Sequence, residues 1–153
     1  MIELNLPQAG LRFKQMAGVP YVFDPLRRRY VRFTPEEMVR QRFVNFLINH
    51  RGFPRGLMNN EVSIELNSVK YRCDTVVFDM ASQPKVIVEY KAPSIIIDEA
   101  VFKQAYIYNM ALHANYLMLS NGLTHYCFNI DYISGSIKAV HGIPHYQELC
   151  LNV

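Results

Sequence analysis

Two carboxylates and one ammonium group stand in two strand-like segments of this chain. Asp74 lies in residues 71–78, and Glu89 and Lys91 lie at the end of residues 85–91. Both segments are rich in Val, Ile or Tyr, which favour the pleated, half-buried surface of a strand. Side chains two residues apart on a strand project from one face, so Glu89 and Lys91 share a face. If the two strands are neighbours, all three charged groups converge at one edge of a sheet.

This convergence predicts metal-assisted hydrolysis of a phosphodiester. Burying Asp74 and Glu89 together is costly unless a cation neutralises them. Carboxylate oxygens suit Mg²⁺ or Mn²⁺, and a nearby Lys can orient or help to deprotonate a metal-bound water. The alternative is a solvated ion pair worth under about 1 kcal/mol. The segment 85–91 is apolar on both faces and stops before Pro93, however, which is typical of a covered central strand with a site at its end.

The composition of the whole chain fits one domain. Its 153 residues are 50% hydrophobic, which is enough to bury a full core. No segment approaches the roughly 18 apolar residues of a membrane span, and the N-terminus lacks the pattern of a signal peptide. Three cysteines without disulfide or metal spacing predict reduced thiols and a cytoplasmic location. The five histidines lack the spacing of zinc ligands.

Positive charge is concentrated in the first third of the chain. Residues 1–55 hold ten of the sixteen basic residues and four of the thirteen acidic ones, a net charge of +6, and the remainder carries −3. The basic residues there are mostly Arg, whose planar fork suits phosphate groups. This favours nucleic-acid binding, with solvated charge on a loop and a helix face as the alternative. The cluster comprises Arg27, Arg28, Arg29, Arg32, Arg40, Arg42, Arg51 and Arg55.

The elements that position these residues can be predicted in order. Short β-like pieces at 11–13, 21–23 and 29–31 form an N-terminal arm, residues 1–33. Thr34 can then cap a helix that has Pro35 at its first position and Glu37 in a capping box, and that runs to about His50. Strands follow at 61–66, 71–79 and 85–91, then a helix at 98–113 and strands at 115–120, 124–130 and 136–140. A core, 34–140, and a tail, 141–153, complete a single domain, 1–153.

Both predicted helices carry polar residues that face the core. In the first helix Glu36 falls on the apolar stripe and Glu37 falls to its side. Glu36 then either pairs with Arg40 one turn later or reaches the carboxylate site. In the second helix Gln104 and Tyr108 are predicted to point inward, and Tyr106 and Asn109 outward. The stripe of the first helix consists of Val39, Phe43, Phe46 and Leu47.

The order of these motifs resembles the PD-(D/E)XK nucleases, and most of all the N-terminal nuclease domain of type I restriction enzyme R subunits. Asp74 matches the metal-binding Asp of that family, Glu89 and Lys91 match its Glu-x-Lys, and residues 104–108 match its Gln-x-x-x-Tyr. Residues 34–41 look like the helix whose Glu completes the acidic site. Glu36 is predicted for that role, with Glu37 as the alternative. Residues 23–27 look like the lead-in of stand-alone bacterial members.

The resemblance covers roughly residues 20–130 and departs from the family pattern at Cys73, where the name implies Pro. It implies an α/β (α+β) fold with a restriction-endonuclease-like core, a central mixed β-sheet flanked by helices in the order αβββαβ. It also implies one or two Mg²⁺ (or Mn²⁺) ions, bound by Glu36, Asp74, Glu89 and the backbone carbonyl of Tyr90.

The remaining roles follow from the same resemblance. Lys91 would position the attacking water or stabilise developing charge. Gln104 and Tyr108 would orient the site or contact the phosphate backbone. Four arginines of the N-terminal third would hold the nucleic acid through its phosphates: Arg27, Arg28, Arg29 and Arg40. DNA is the favoured substrate.

Two other interpretations stay open at this point. The sequence has no Gly-x-x-x-x-Gly-Lys-[Ser/Thr] phosphate loop of the translocase to which R subunits attach this domain. The domain is therefore expected to act alone, as a homodimer, or with other restriction-type subunits. A non-catalytic nucleic-acid-binding or assembly module on the same fold is the first alternative. A closed salt-bridge network of Asp74, Glu89 and Lys91 that needs no metal is the second.

Overall fold

The computed structural model describes residues 2–151 and contains two β-sheets and three α-helices. The smaller sheet is antiparallel, in the order β1 (Phe13–Met16), β2 (Val19–Asp24) and β3 (Arg29–Arg32). The larger sheet has six strands: β4 (Met58–Leu66), β5 (Val69–Phe78), β6 (Pro84–Tyr90), β7 (Tyr116–Ser120), β8 (His125–Ile130) and β9 (Ile137–Val140). The helices are α1 (Pro35–His50), α2 (Glu99–Leu112) and α3 (Tyr146–Leu151), and a 3-10 turn covers Arg55–Leu57.

The six strands lie side by side in their sequence order. All neighbours are antiparallel except β6 and β7, which are parallel and are joined by a crossover through α2. A parallel pair needs such a long connection, whereas antiparallel pairs are joined by short turns. The predicted mixture of α and β structure around a mixed central sheet is thereby confirmed.

Strand β6 is covered on both faces, as its apolar sequence predicts. Val86 and Val88 are fully buried in the cluster that contains α1 residues Val39, Phe43 and Leu47. Ile87, between them, is 1% exposed in the opposite cluster, with α2 residues Ala105 and Leu112. The alternation of side chains along a strand therefore places α1 and α2 on opposite faces of the sheet.

The helix ends follow the capping residues of the sequence. Thr34 Oγ1 accepts a hydrogen bond of 3.0 Å from the backbone N–H of Glu37, and Pro35 occupies the first helical position. Asp98 caps α2 in the same way through the N–H of Val101, at 3.0 Å. His113 ends α2 in the left-handed conformation, with φ of 58°.

The predicted orientation of α2 side chains was wrong in two respects. Gln104 and Tyr108 are exposed, and Asn109, predicted to look outward, is fully buried with its Nδ2 3.2 Å from the carbonyl of Ala114. The helix is rotated so that Ala105, Asn109 and Leu112 face the sheet. A small residue at 105 lets the helix approach the sheet closely.

The smaller sheet lies within the predicted arm, residues 1–33, with strand bounds shifted by up to three residues. Ala17 and Gly18 form its first hairpin turn, both with positive φ (51° and 76°), which matches the twist of a two-residue hairpin. The predicted tail, 141–153, is seen as α3 as far as residue 151; its last two residues, like Met1, lie outside the described residues. No helix within 2–151 is long and apolar enough to span a membrane.

Candidate functional site

Asp74, in the middle of β5, and Glu89, near the end of β6, lie where the pairing of these two strands ends. Thr75 pairs with Val88, so that Asp74 and Glu89 are the next residues on the two strands. The backbone N–H of Tyr90 donates a hydrogen bond of 2.9 Å to Asp74 Oδ2. The structure thus brings together the two carboxylates that the sequence placed on separate strands.

Glu89 has a buried oxygen without a partner. Its Oε1 is inaccessible to solvent and accepts no hydrogen bond within the described part of the chain. Burial, together with the neighbouring Asp74 carboxylate, raises the pKa of Glu89 to about 9. A buried carboxylate oxygen left unpaired is costly, so this group needs a proton or a cation.

Glu36 faces the same cluster from the first turn of α1. Burial first, and then the Asp74 carboxylate, raise the pKa of Glu36, while Arg40 and Lys91 act in the opposite direction. These influences place Glu36 within electrostatic range of both Asp74 and Lys91. Glu36 is half-buried, so its carboxylate retains access to solvent.

Glu37, the alternative third acid, is held elsewhere. It is 6% exposed, and its Oε1 lies 2.6 Å from Arg27 Nη2. Its Oε2 lies 3.1 Å from Arg40 Nε and accepts a hydrogen bond of 3.1 Å from Gln41 Nε2. Both oxygens of Glu37 are thus engaged inside the protein, and the choice of Glu36 as the third acid stays a prediction.

Lys91 follows β6 directly, and its backbone N–H donates to the carbonyl of Ser120 on β7 at 2.9 Å. None of the ion pairs formed by residues 2–151 includes Lys91, Asp74 or Glu89. The closed salt-bridge network considered from the sequence is therefore not formed. Lys91 instead lines a cavity of about 180 Å³ together with Glu89, Gln104 and Tyr108.

Gln104 and Tyr108 thus reach the site from the exposed side of α2. Both line the cavity beside Glu89 and Lys91, and Val101 and Ala105 complete its lining. The Tyr108 ring packs edge-on against Tyr71 of β5, with centroids 5.5 Å apart. Their exposure corrects the predicted inward orientation but leaves them beside the expected partners.

Arg40 does not have the position expected of a phosphate contact. It is 4% exposed, donates to the backbone carbonyl of Asp74 at 2.8 Å and to Glu61 Oε1 at 2.7 Å. Arg27 is likewise engaged by Asp24 and Glu37. A guanidinium group engaged by carboxylates in this way has fewer N–H groups to offer a phosphate, and Arg27 and Arg40 as phosphate contacts stay predictions. Arg28 and Arg29 are exposed, as a phosphate contact requires.

Sequence analysis missed Glu61 as a neighbour of the site. Its carboxylate lies between Arg40 and Arg72, and its backbone has φ of 52°, a left-handed conformation inside β4. A non-glycine residue rarely adopts this conformation, which costs on the order of 1–3 kcal/mol. The pairing of β4 with β5 is interrupted there, between the pairs Asn60–Thr75 and Val62–Cys73. No feature of the sequence signals a positive φ at a Glu.

A chain of buried hydrogen bonds, also missed, lies beneath the carboxylates. Tyr90 Oη and Thr75 Oγ1 are 2.8 Å apart, and Thr75 Oγ1 donates to Asn60 Oδ1 at 2.6 Å. Asn60 Nδ2 donates to Asp24 Oδ2 at 3.0 Å. This chain connects the smaller sheet to the two strands that carry Asp74 and Glu89, and so fixes their relative position.

The donor set of the site is incomplete as a metal cage. Within the described residues, no three His, Cys, Asp or Glu side chains are arranged to hold a metal ion by themselves. Two adjacent carboxylates, with one oxygen unpartnered, instead form an open arrangement. Mg²⁺ is commonly bound by one or two carboxylates while it keeps several waters, so the chemistry of the donors fits this ion.

Comparison with known proteins identifies a family and a related solved structure. The family described as "Type I restriction enzyme R protein N terminus (HSDR_N)" matches residues 35–144. A solved fragment of a putative HsdR subunit of a type I restriction enzyme from Vibrio vulnificus YJ016 has a similar fold, with a TM-score of 0.55 and 17% identity. The similarity covers 78% of this chain and 25% of that one, so the chain spans a quarter of that neighbour's length. No curated protein matches.

Proposed function

The chain belongs to the family of type I restriction enzyme R protein N-termini, and on that premise we propose that it is a metal-dependent nuclease. It hydrolyses phosphodiester bonds of nucleic acid, with DNA as the expected substrate, using Mg²⁺ or Mn²⁺. The proposal includes a restriction-endonuclease-like core of the PD-(D/E)XK type in the order αβββαβ, and a bacterial, cytoplasmic setting. The observation that carries it is the unpartnered Oε1 of Glu89 beside Asp74.

That observation supports a cation site for an electrostatic reason. Two carboxylates packed together oppose each other's ionisation, as the raised pKa of Glu89 reflects. No ammonium or guanidinium group within the described residues pairs with either of them. A divalent cation would supply the missing partner and stabilise both negative charges at neutral pH.

Each residue of the cluster has a proposed role. Asp74, Glu89, the backbone carbonyl of Tyr90 and, from α1, Glu36 hold one or two ions. When bound there, Mg²⁺ or Mn²⁺ neutralises charge on the scissile phosphate and lowers the pKa of a water molecule. Lys91 positions that water or stabilises the charge that develops on the phosphate oxygens.

Residues of α2 form the other side of the cavity. Gln104 and Tyr108 line it, and their proposed role is to orient the site or to contact the phosphate backbone. The chain is proposed to work alone, as a homodimer, or beside other restriction-type subunits. R subunits are longer chains, and the related fragment is four times the length that this chain spans.

Cleavage assays with a matched lysine control test the proposal. Single- and double-stranded DNA are incubated with the wild type, Lys91→Ala and Lys138→Ala, in Mg²⁺, in Mn²⁺ and in EDTA. Lys138 is an exposed lysine of β9. We expect cleavage by the wild type and Lys138→Ala that requires metal, and a loss of about 10²-fold or more in Lys91→Ala, the usual effect of removing a group that stabilises transition-state charge.

Thermal unfolding with and without Mn²⁺ separates the remaining outcomes. A ligand that binds only the folded state raises the melting temperature, and Asp74→Asn should abolish this rise. A rise without cleavage would leave a metal site in a non-catalytic module. No cleavage together with no response to metal would overturn the proposal.

A further inference from the structure

The smaller sheet carries a concentration of positive charge that the nuclease site does not use. Residues 7–33 contain six basic residues and a single acidic one, Asp24. Asp24 is fully buried and engaged by Arg27 and Asn60. The other five cations therefore face solvent without an acidic neighbour in this part of the chain: Arg12, Lys14, Arg28, Arg29 and Arg32.

One face of this sheet combines cations with aromatic rings. Cross-strand partners lie on one face, which places Lys14, Tyr21 and Arg32 in a row, and Phe23 beside Tyr30 in the next row. Arg12 lies opposite Phe23, whose backbone N–H donates a hydrogen bond of 2.8 Å to the Arg12 carbonyl. We call this the basic-aromatic face, and it consists of Arg12, Lys14, Tyr21, Phe23, Tyr30 and Arg32.

Contacts on the basic-aromatic face bring cations and rings together. The Arg12 guanidinium lies over the Phe23 ring, 4.4 Å from its centroid, and the Lys14 ammonium lies over the Tyr30 ring at 4.2 Å. The Phe23 and Tyr30 rings are themselves 5.3 Å apart. The buried residues Val22 and Asp24 lie on the opposite face of the sheet. The Phe23 and Tyr30 rings are therefore not needed to fill the core.

A crevice continues this face toward α1. It has a volume of about 300 Å³, and Arg12 and Phe23 line it from the sheet. The other polar side chains of its lining are neutral or positive, with no carboxylate: Gln41, Asn45, Asn49 and Arg55. An acid-free concavity of amides and cations suits an anionic ligand that is longer than one phosphate.

We propose that the basic-aromatic face binds single-stranded nucleic acid. Arg12 and Lys14 leave the ring faces that they cover in the free protein and contact phosphates, as Arg32 does, and bases stack on the uncovered faces of Phe23 and Tyr30. Stacking platforms flanked by cations bind single strands without regard to sequence, because every base has a π-face. A duplex keeps its bases stacked inside and cannot use the rings. This inference rests on the proposed function only in taking its substrate as the ligand, and it specifies the single-stranded form of that substrate. Binding at this face needs no metal.

Fluorescence anisotropy with a labelled 12-nucleotide oligo(dT) in EDTA tests the face directly. The wild type is compared with Arg12→Gln/Lys14→Gln, with Tyr30→Leu, and with the charge-matched control Lys70→Gln/Lys138→Gln on exposed positions of the larger sheet. A same-length abasic strand serves as a second probe, because it keeps the phosphates and lacks the bases. Circular dichroism establishes that each variant is folded.

The expected results differ between the two kinds of variant. Removing two phosphate contacts should weaken oligo(dT) binding about tenfold or more and reduce the slope of log K against log salt by about 1.4. Tyr30→Leu should weaken oligo(dT) binding by about fivefold or more, with little change for the abasic strand. The control should bind as the wild type does.

Two results would overturn the inference. One is equal affinity of the face variants, the control and the wild type for oligo(dT). The other is equal affinity of the wild type for oligo(dT) and the abasic strand, which would mean that charge alone attracts a polyanion. The absence of metal from the binding assay separates this inference from the nuclease: metal-dependent cleavage can fail while the face binds, and the face can fail while cleavage persists.

Discussion

Among the residues of the site, Glu89 has the environment that most disfavours an ionised carboxylate when no cation is bound. Its Oε1 is buried and unpartnered, Asp74 is its neighbour, and burial raises its pKa from an ordinary 4.5 to about 9. The folded protein therefore retains a proton that the unfolded chain releases between these two values. Stability falls as pH rises through this window, because the folded state binds more protons than the unfolded one.

Glu89→Gln should remove this pH dependence. In EDTA at pH 8 we expect the variant to melt at a higher temperature than the wild type, by about 2–4 °C for each kcal/mol gained in a domain of this size. Below pH 4.5 the two should converge, because Glu89 is then protonated in both folded and unfolded chains. Thermal unfolding from pH 4 to pH 9 measures the difference.

Added metal should change the stabilities of the wild type and Glu89→Gln in the opposite sense to the difference expected in EDTA. With Mn²⁺ at pH 8, the wild type should gain stability and Glu89→Gln should not, because an amide oxygen carries no charge. Glu65→Gln, at an exposed position of β4, is the matched control and should follow the wild type throughout. A variant that is less stable than the wild type in EDTA at pH 8 would mean that Glu89 has an ionic partner in the fold.

At the scale of elements, Arg40 joins one helix to two strands. From α1 it contacts Glu61 of β4 and the carbonyl of Asp74 on β5, and Glu37 lies beside it on its own helix. Burial alone would lower the pKa of Arg40, but the negative charges of Glu37, Asp74 and Glu61 outweigh it and raise the pKa. The helix spacing of Arg40 from Glu36 and Glu37 was readable from sequence. Its tertiary partners were not, since they depend on where β4 lies.

Arg40→Met should destabilise the fold by about 3–5 kcal/mol, because one oxygen of Glu37 and one of Glu61 lose their buried cationic partner and the Asp74 carbonyl loses its donor. Urea unfolding measures the loss, and Arg28→Gln, an exposed Arg of the same segment, should stay within about 0.5 kcal/mol of the wild type. If Arg40→Met kept its stability and lost only nucleic-acid affinity, Arg40 would be a phosphate contact, as the sequence first indicated.

The secondary structure was largely predictable because each element carries its own signal. Val86–Val88 is apolar without interruption, Thr34 and Asp98 cap their helices, and Asn121–Gly122 marks the turn between β7 and β8. The ordering of Asp74, Glu89 and Lys91 was likewise local. The rotation of α2 was not predictable from these signals, because which face packs depends on the shape of the sheet beneath Ala105.

At the scale of the whole molecule, the chain outside the matched residues 35–144 is built into the fold. Leu4 is 5% exposed, and the N–H of Asn5 donates to the Gly122 carbonyl at 2.8 Å. His125 Nε2 lies 2.9 Å from the Asn5 carbonyl, and Arg42 Nη2 donates to the Leu6 carbonyl at 2.8 Å. The segment 4–7 thus ties α1 to the turn between β7 and β8, a contact between distant residues that no local pattern encodes.

A substitution at Gly122 can test the contact of residues 4–7 with this turn without deleting those residues. Its φ is +85°, and a Cβ there would lie 2.8 Å from Leu4 Cδ2 and 3.2 Å from Val39 Cγ2. Gly18 also has a positive φ of 76°, but a Cβ there would meet nothing within 4 Å. Gly18→Ala therefore measures backbone strain alone, and Gly122→Ala measures strain together with displacement of Leu4.

We expect Gly122→Ala to cost about 1–3 kcal/mol more than Gly18→Ala, the usual penalty for overpacking a well-filled site. In a Leu4→Ala background, which opens the space, this excess should shrink, because residues in contact have non-additive effects. Urea unfolding of the wild type, the two single variants and the double variant gives the coupling free energy. Equal costs at Gly122 with and without Leu4 would mean that Leu4 does not pack against Gly122 in solution.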